Sequence, residues 1–342
     1  MKKIKVGIIF GGKSSEHEVS LMSAKNIIYA IDKKKYQIVL LGIDKNGNWN
    51  YYDIKNYLLN ENDPKKIKLN RPLKALQIDF SKTNVQKPFD VAFPVLHGLN
   101  GEDGTVQGFL KLFEIPFVGA DVLGSAIGMD KDVSKRLLRD ANIPIAKFLT
   151  LRKNEQISFS KVKKELGLPL FIKPANAGSS IGVSKVKNQK QFKEAISKAF
   201  IHDSKILLEE FIRGREIECS VLGNNETIAS LPGEVVSLHE FYSYEAKYID
   251  ESGAKLIYPA KLSEKIIKNV QDLAIKTYKT LELKGMARVD FFLKINGKLF
   301  VNEVNTIPGF TKISMYPKLW EISGLSYPRL IDKLINLALK NS

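Results

Sequence analysis

Asn296-Gly297 stands between two alternating apolar runs, 289–295 and 298–304, the strongest short-range signal for a two-residue β-hairpin. With those two residues as the loop, Asp290 pairs with Glu303 and Arg288 with Asn305. Paired residues share a face and side chains alternate along a strand, so all four groups project from one side of the ladder. Two carboxylates with Cβ atoms roughly 4.5–5.5 Å apart repel, and the arrangement is comfortable only with a proton or a cation between them. Aspartate, glutamate and an amide oxygen are hard ligands, and no Cys or His lies nearby, which selects Mg²⁺ or Mn²⁺. Mg²⁺ held by few carboxylates usually holds phosphates as well. This hairpin therefore points to nucleotide chemistry.

At 342 residues the chain has room for two or three domains of ordinary size. Its apolar fraction of 44% and charged fraction of 26% are those of a soluble globular protein. The single cysteine, Cys219, permits no internal disulfide and sits in an alternating apolar run, where it reads as a small buried hydrophobe. The net charge of +16 comes far more from lysine than arginine and is spread along the chain. Nucleic-acid binders cluster arginine and interleave exposed aromatics, so no nucleic-acid partner is expected. Attraction of small anionic substrates accounts for the charge at less cost. The N-terminal apolar run is too short for a signal peptide, and no segment reaches the roughly 18 apolar residues of a membrane span. The expectation is a cytoplasmic protein without membrane association.

Periodicity predicts strands at 4–10, 38–43, 90–96 and 116–118, with helices at 18–31 and 106–113. This β-α-β alternation describes a small parallel α/β domain ending near residue 125. Residues 44–88 are polar, lysine-rich and loosely patterned, a surface insertion with short strands. Beyond them the pattern gives helices at 130–140, 192–200, 263–281 and 327–339. Strands are expected at 169–173, 183–186, 206–211 and 217–222, before the hairpin. Antiparallel strands alternating with helices make this second part α+β.

The segment from Gly7 to Ser14 matches the P-loop pattern G-x-x-x-x-G-K-[ST], but Ile8, Ile9 and Phe10 are the strand itself rather than a phosphate cradle. The better reading is a tight Gly11-Gly12 turn leading into a helix. Glu16 then lies at the helix N-terminus by the carboxyl end of a parallel strand, where small ligands bind, or merely helps to cap the helix. The stretch from Lys173 to Gly182 is a loop with two glycines and two serines whose N–H and hydroxyl groups suit phosphate oxygens, with Lys173 at the strand end facing it. Beside a Mg²⁺ site it reads as a phosphate lid; alone it is a plain mobile loop. The connector after strand 206–211 offers backbone groups to adenine, with Glu209 or Glu216 as acceptors, or forms a solvated acidic strand end. Pro308-Gly309 makes a turn that could expose the Gly309 N–H as an oxyanion donor. Arg288 stabilises a developing oxyanion or simply neutralises Asp290. His17, His97, His202 and His239 have no zinc spacing, and no Gly-x-Ser-x-Gly elbow occurs.

These residues are joined by Glu16-His-Glu18 after Gly11-Gly12, His97-Gly-Leu-Asn-Gly-Glu102-Asp103, Met129-Asp130-Lys131, and Tyr244-Glu-Ala-Lys247-Tyr248. Together, over nearly the whole chain, they resemble the ATP-grasp enzymes and, among them, the D-alanine–D-alanine ligases. The resemblance implies an α/β N-terminal domain with a small parallel sheet, residues 1–125, that binds substrate. It implies two α+β subdomains of ATP-grasp type to follow, 126–218 with the phosphate lid and 219–342 with the metal site and the Tyr248 loop. It implies ATP bound by Lys131, Lys173, Ser179, Ser180, Glu209, Glu210, Phe211, Ile212, Glu216 and Lys247. Two Mg²⁺ or Mn²⁺ ions would sit on Asp290, Glu303 and Asn305. D-Alanine would meet Glu16, His97, Arg288, Gly309 and Ser314. Glu16, Ser179 and Tyr248 resemble the family's hydrogen-bonded triad, and Arg288 with the Gly309 N–H its oxyanion hole.

The implied reaction is ATP-dependent ligation of two D-alanines through an acyl phosphate, for peptidoglycan precursors, in a cytoplasmic homodimer. The alternative is a D-alanine–D-lactate ligase or another ATP-grasp carboxylate–amine ligase. Relatives that make D-alanyl-D-lactate often carry Phe where this chain has Tyr248, so Tyr248 points to an amine acceptor. A P-loop kinase would instead rely on Lys13, and a nucleic-acid module would bind oligonucleotides with strong salt dependence.

Overall fold

The computed structural model describes residues 2–77, 87–237 and 254–340. Three parallel strands, β2 (Tyr36–Ile43), β1 (Ile4–Gly11) and β7 (Val91–Val95), form the heart of the first sheet. β1 and β7 are buried along most of their length, as strands covered on both faces must be. The predicted insertion adds β3 (Trp49–Tyr52) and β6 (Lys74–Ala75) antiparallel at one edge, and its β4 (Leu58–Leu59) and β5 (Lys68–Leu69) pair separately. The strand expected at 116–118 is a single parallel bridge, Ala92 to Phe117, on the β7 edge. Helices α1 (His17–Ala30) and α2 (Thr105–Leu112) connect these strands.

α3 (Val122–Met129), with glycines at 124 and 128, was not expected from the pattern. Those glycines are contact points: a Cβ on Gly124 would lie 2.6 Å from the Glu282 carbonyl oxygen, and one on Gly128 2.5 Å from Thr306 Cγ2. α4 (Lys131–Asp140) follows, capped by the Asp130 carboxylate on the N–H groups of Asp132 and Val133. The second sheet runs β10 (Ser184–Val186), β9 (Leu170–Pro174), β11 (Lys205–Glu210), β8 (Phe148–Arg152), all antiparallel. It is packed by α5 (Phe159–Leu166) and α6 (Gln189–Ala199) around Val162, Ile172, Phe192 and Leu208.

The third sheet, also antiparallel, runs β15 (Ala254–Ile257), β14 (Gly233–Ser237), β12 (Arg215–Gly223), β16 (Gly285–Leu293), β17 (Leu299–Asn305), with β13 (Thr227–Ala229) on β12. The amphipathic helix α7 (Glu264–Thr280) buries Val270, Ala274 and Tyr278 beneath it. The expected boundary at 218/219 falls inside β12, whose nine residues pair without interruption with β16; the break between sheets lies at the 211–214 connector. α8 (Met315–Ile322) and α9 (Tyr327–Leu339) do not complete a separate C-terminal body. Tyr316, Leu330, Leu334 and Ile335 share one core with Val6, Phe10, Leu21 and Phe93 of the first domain. Among the described residues no helix is long and apolar enough to cross a membrane.

Candidate active site

The β16–β17 hairpin does not turn as expected. Gly297 N–H donates to Lys294 C=O (2.9 Å), Lys294 N–H to Lys298 C=O (3.0 Å), and Gly297 has φ +80°. The loop is therefore Ile295-Asn296-Gly297, a turn closed by a left-handed glycine, and Leu293 pairs with Leu299. That shift by one residue is undone by a bulge between Asp290 and Phe291, where Asn302 is the extra residue. Past the bulge Asp290 faces Glu303 and Arg288 faces Asn305, as expected.

These four groups are half-buried and tightly engaged. Arg288 donates to Asp290 through Nε (2.7 Å) and Nη2 (2.8 Å), and Asn305 Nδ2 donates to Asp290 Oδ2 (3.1 Å). Glu303 lies 3.7 Å from Lys131 Nζ. Among the described residues no three His, Cys, Asp or Glu side chains converge on one point. Two carboxylates and an amide oxygen, with lysines alongside, suit a hard cation that completes its shell with phosphate and water. The donor set thus fits Mg²⁺ or Mn²⁺.

Glu303, the ladder partner of Asp290, and Asn302 border a cavity of about 480 Å³ between the second and third sheets. One wall is the loop joining β9 to β10, where Ser179 and Ser180 take left-handed φ of +50° and +60°. Lys131 is pinned to the base of this loop: its N–H donates to Ala175 C=O and its Nζ to Ala177 C=O (2.7 Å). Lys173, at the end of β9, also lines the cavity. Its ammonium lies 3.0 Å from Glu209 Oε2, which is 3.1 Å from the fully buried Lys135. Burial pushes the Glu209 carboxyl upward, but the two lysines outweigh it and hold the group below its ordinary range. Burial, with Lys173 alongside, pulls the Lys135 ammonium down, and Glu209 opposes this. Glu209 therefore sets the position of Lys173 within the cavity wall.

The connector after β11 forms the far end. Phe171, Phe211, Ile212 and Phe292 line a slot with Glu210 and Glu216 at its margin. Phe211 keeps 38% exposure and carries Lys185 Nζ 4.9 Å from its ring centre, a surface on which a planar base can stack. The Glu210 side chain is already used, accepting from Lys147 N–H (2.8 Å). Arg215 and Glu234 close one side as a two-point pair, both contacts 2.7 Å.

Glu16 stands at the N-terminus of α1 but makes no side-chain cap. It accepts instead from the Ser179 hydroxyl, tying the loop between β9 and β10 to the first domain. His97 is buried behind the 305–310 turn. Its Nδ1 lies 3.0 Å from Ile307 C=O, an acceptor only, so Nδ1 carries the proton. Nε2 lies 3.4 Å from Ser23 Oγ, which also accepts Phe310 N–H (3.1 Å). Burial lowers the His97 pKa against the pull of Glu16, keeping the ring neutral. Both ring nitrogens of His97 are thus engaged, one by the 305–310 turn and one by Ser23. Ser314 accepts Thr311 N–H (2.9 Å), and a Cβ on Gly309 would approach its Oγ to 2.7 Å, so Gly309 and Ser314 are neighbours.

Lys247 and Tyr248 lie outside the described residues. Two residues of this neighbourhood were not singled out as site residues from sequence. Lys135 looks like one more lysine in a basic helix. Glu102 accepts Gly98 N–H (2.7 Å) and Ile307 N–H (3.1 Å), so it ties the loop after β7 to the 305–310 turn. The run from His97 to Asp103 was the available signal for Glu102.

Two family models match the chain, D-ala D-ala ligase N-terminus over residues 5–120 and D-ala D-ala ligase C-terminus over residues 137–336. A D-alanine–D-alanine ligase of Oceanobacillus iheyensis is 55% identical and covers 100% of this chain and 96% of that protein. D-alanine–D-alanine ligase A of Escherichia coli is 52% identical over 99% of this chain and 97% of that protein. Among solved structures, the D-alanine–D-alanine ligase of Coxiella burnetii superposes with a TM-score of 0.84 at 36% identity, covering 100% of this chain and 95% of that one. The VanG D-Ala:D-Ser ligase of Enterococcus faecalis also gives 0.84, at 38% identity, over 98% of this chain and 100% of that one. With matching motifs, fold and full-length relatives, the chain belongs to the D-alanine–D-alanine ligase family.

Proposed function

We propose that the protein joins two D-alanines to D-alanyl-D-alanine at the expense of ATP, supplying a peptidoglycan precursor. The observation that carries this reading is one cavity where a phosphate-type loop, Lys131 and Lys173 meet Glu303, the ladder partner of Asp290, with the loop tied down by the Ser179–Glu16 bond. A carboxylate is a poor acyl donor because oxide is its leaving group, and transfer of the γ-phosphoryl group converts it to an acyl phosphate. Lys131, Lys173 and the lid N–H and hydroxyl groups bind the phosphates, while Phe211, Ile212, Glu210 and Glu216 frame the base and ribose. Asp290, Glu303 and Asn305 hold Mg²⁺ or Mn²⁺, which when bound offsets the charge on the phosphates.

Glu16 pairs with the ammonium of the first D-alanine, and Arg288 with the Gly309 N–H stabilises the oxyanion formed when the second amine attacks. Ser314, beside Gly309, receives the second carboxylate. The lid keeps water from the acyl phosphate. Tyr248 favours an amine over a hydroxyl acceptor. The enzyme works in the cytoplasm, as a homodimer.

Incubation with ATP, Mg²⁺ and D-alanine, followed by mass spectrometry and phosphate assay, tests the reading. D-Alanyl-D-alanine and phosphate should appear together. No D-alanine-dependent phosphate release would overturn it. The same assay with D-serine or D-lactate added beside D-alanine defines the second substrate, and D-alanine should be preferred.

A further inference from the structure

The site holds a third carboxylate with no part in the scheme above. Glu218, on β12, pairs with Asp290 in the β12–β16 ladder, just as Asp290 pairs with Glu303 in the next. Glu218, Asp290 and Glu303 therefore stand in one row across three strands and share a face. Glu218 is buried, and its Oε2 lies 3.0 Å from Arg288 Nε, the same nitrogen that donates to Asp290.

We infer that Glu218 is a positioning residue for Arg288, holding the guanidinium in place when Asp290 turns to a divalent cation. The inference rests on the metal and oxyanion roles proposed above. Both Asp290 oxygens now accept from Arg288, and one also accepts from Asn305. To ligate a cation, Asp290 must loosen its grip on Arg288. The arginine side chain is only 16% exposed, and a buried guanidinium without an anion is costly. Glu218 remains as its partner.

The charge balance agrees. Arg288 and Glu218 neutralise each other, which leaves the Asp290 charge for a divalent ion beside Glu303, itself 3.7 Å from Lys131. Without the Glu218 charge, Arg288 would compete with the metal for Asp290. The second carboxylate thus lets one arginine stay aimed at the reacting acyl group while its neighbour holds metal.

Manganese titration followed by electron paramagnetic resonance, with ADP present, tests this directly on the wild-type protein and Glu218→Gln. Wild type should bind Mn²⁺; if it does not, the metal reading fails and this inference with it. Glu218→Gln should bind Mn²⁺ about tenfold more weakly, the scale of losses seen when groups behind metal ligands are removed. Its affinity for ADP without metal should stay within about twofold, and Glu218→Asp should recover most of the loss. Unchanged Mn²⁺ affinity in Glu218→Gln, or an equal loss of metal-free ADP binding, would overturn the inference and leave the metal reading standing. Should the variants not fold, hydrogen exchange at the Arg288 Nε–H of the wild-type protein decides. Its protection should survive saturation with Mg²⁺ and ADP, and loss of protection would refute the role.

Discussion

The Ser179 hydroxyl donates to the Glu16 carboxylate, joining the Gly-rich loop of the second sheet to the first helix of the N-terminal domain across 163 positions of sequence. A hydrogen bond to a charged group contributes about 1.5–3 kcal/mol, roughly a 10- to 100-fold change in the closed-lid population. Ser179→Ala should lower kcat by about that factor and release phosphate in excess of dipeptide, since an open lid admits water to the acyl phosphate. The fold should be little affected. A variant that keeps one phosphate per dipeptide and near-normal kcat would show that another contact closes the lid.

Lys173 and Lys13 separate two readings of the phosphate site. Lys173 is buried at the cavity wall, 3.0 Å from Glu209, whereas Lys13 is exposed and packs beside Gly47. Lys173→Ala should weaken ATP binding at least about tenfold, the loss of one charge-assisted contact. Lys13→Ala should leave it unchanged. Isothermal titration with a non-hydrolysable ATP analogue reads both, and the opposite ranking would restore the P-loop reading.

Much of the site could be read from residue order because its parts are local. The pairing of Asp290 with Glu303 needed only an alternating pattern and a turn. Even so, two one-residue errors cancelled there: the Asn-Gly dipeptide serves a three-residue loop as well as a two-residue one, and the Asn302 bulge restored the register. What escaped was tertiary. Gly124 and Gly128 look like helix breakers until α3 is seen against Glu282 and Thr306. Lys135 looks solvated until Glu209 and Lys173 surround it. The role of Glu102 depends on Ile307, which is distant in sequence.

The buried trio of Lys135, Glu209 and Lys173 makes a stability prediction with a definite order. Glu209→Gln leaves two buried ammonium groups without their shared anion and should cost about 3–5 kcal/mol. Lys135→Met leaves Glu209 and Lys173 as a one-to-one pair and fills the space with an apolar chain, so its cost should be below about 2 kcal/mol. Urea denaturation measures both. If Lys135→Met proved the more damaging, Lys135 would be the centre of the cluster and Glu209 its satellite.

Glu102 should make the native state lose stability as pH rises through neutrality. Burial and the nearby Glu16 charge raise its pKa, against the Gly98 and Ile307 N–H groups and Lys131. A carboxyl whose folded pKa exceeds its unfolded value binds more protons in the native state between the two, so stability declines as pH rises through that interval. The interval begins near the ordinary glutamate value of 4.5. Ionised Glu102 then adds a second negative charge beside Glu16, at the point where the loop after β7 grips the 305–310 turn. Glu102→Gln has no charge to gain. Melting temperatures between pH 6 and 8 should therefore fall more steeply for the wild-type protein than for this variant. Parallel slopes would assign the pH dependence to a different group.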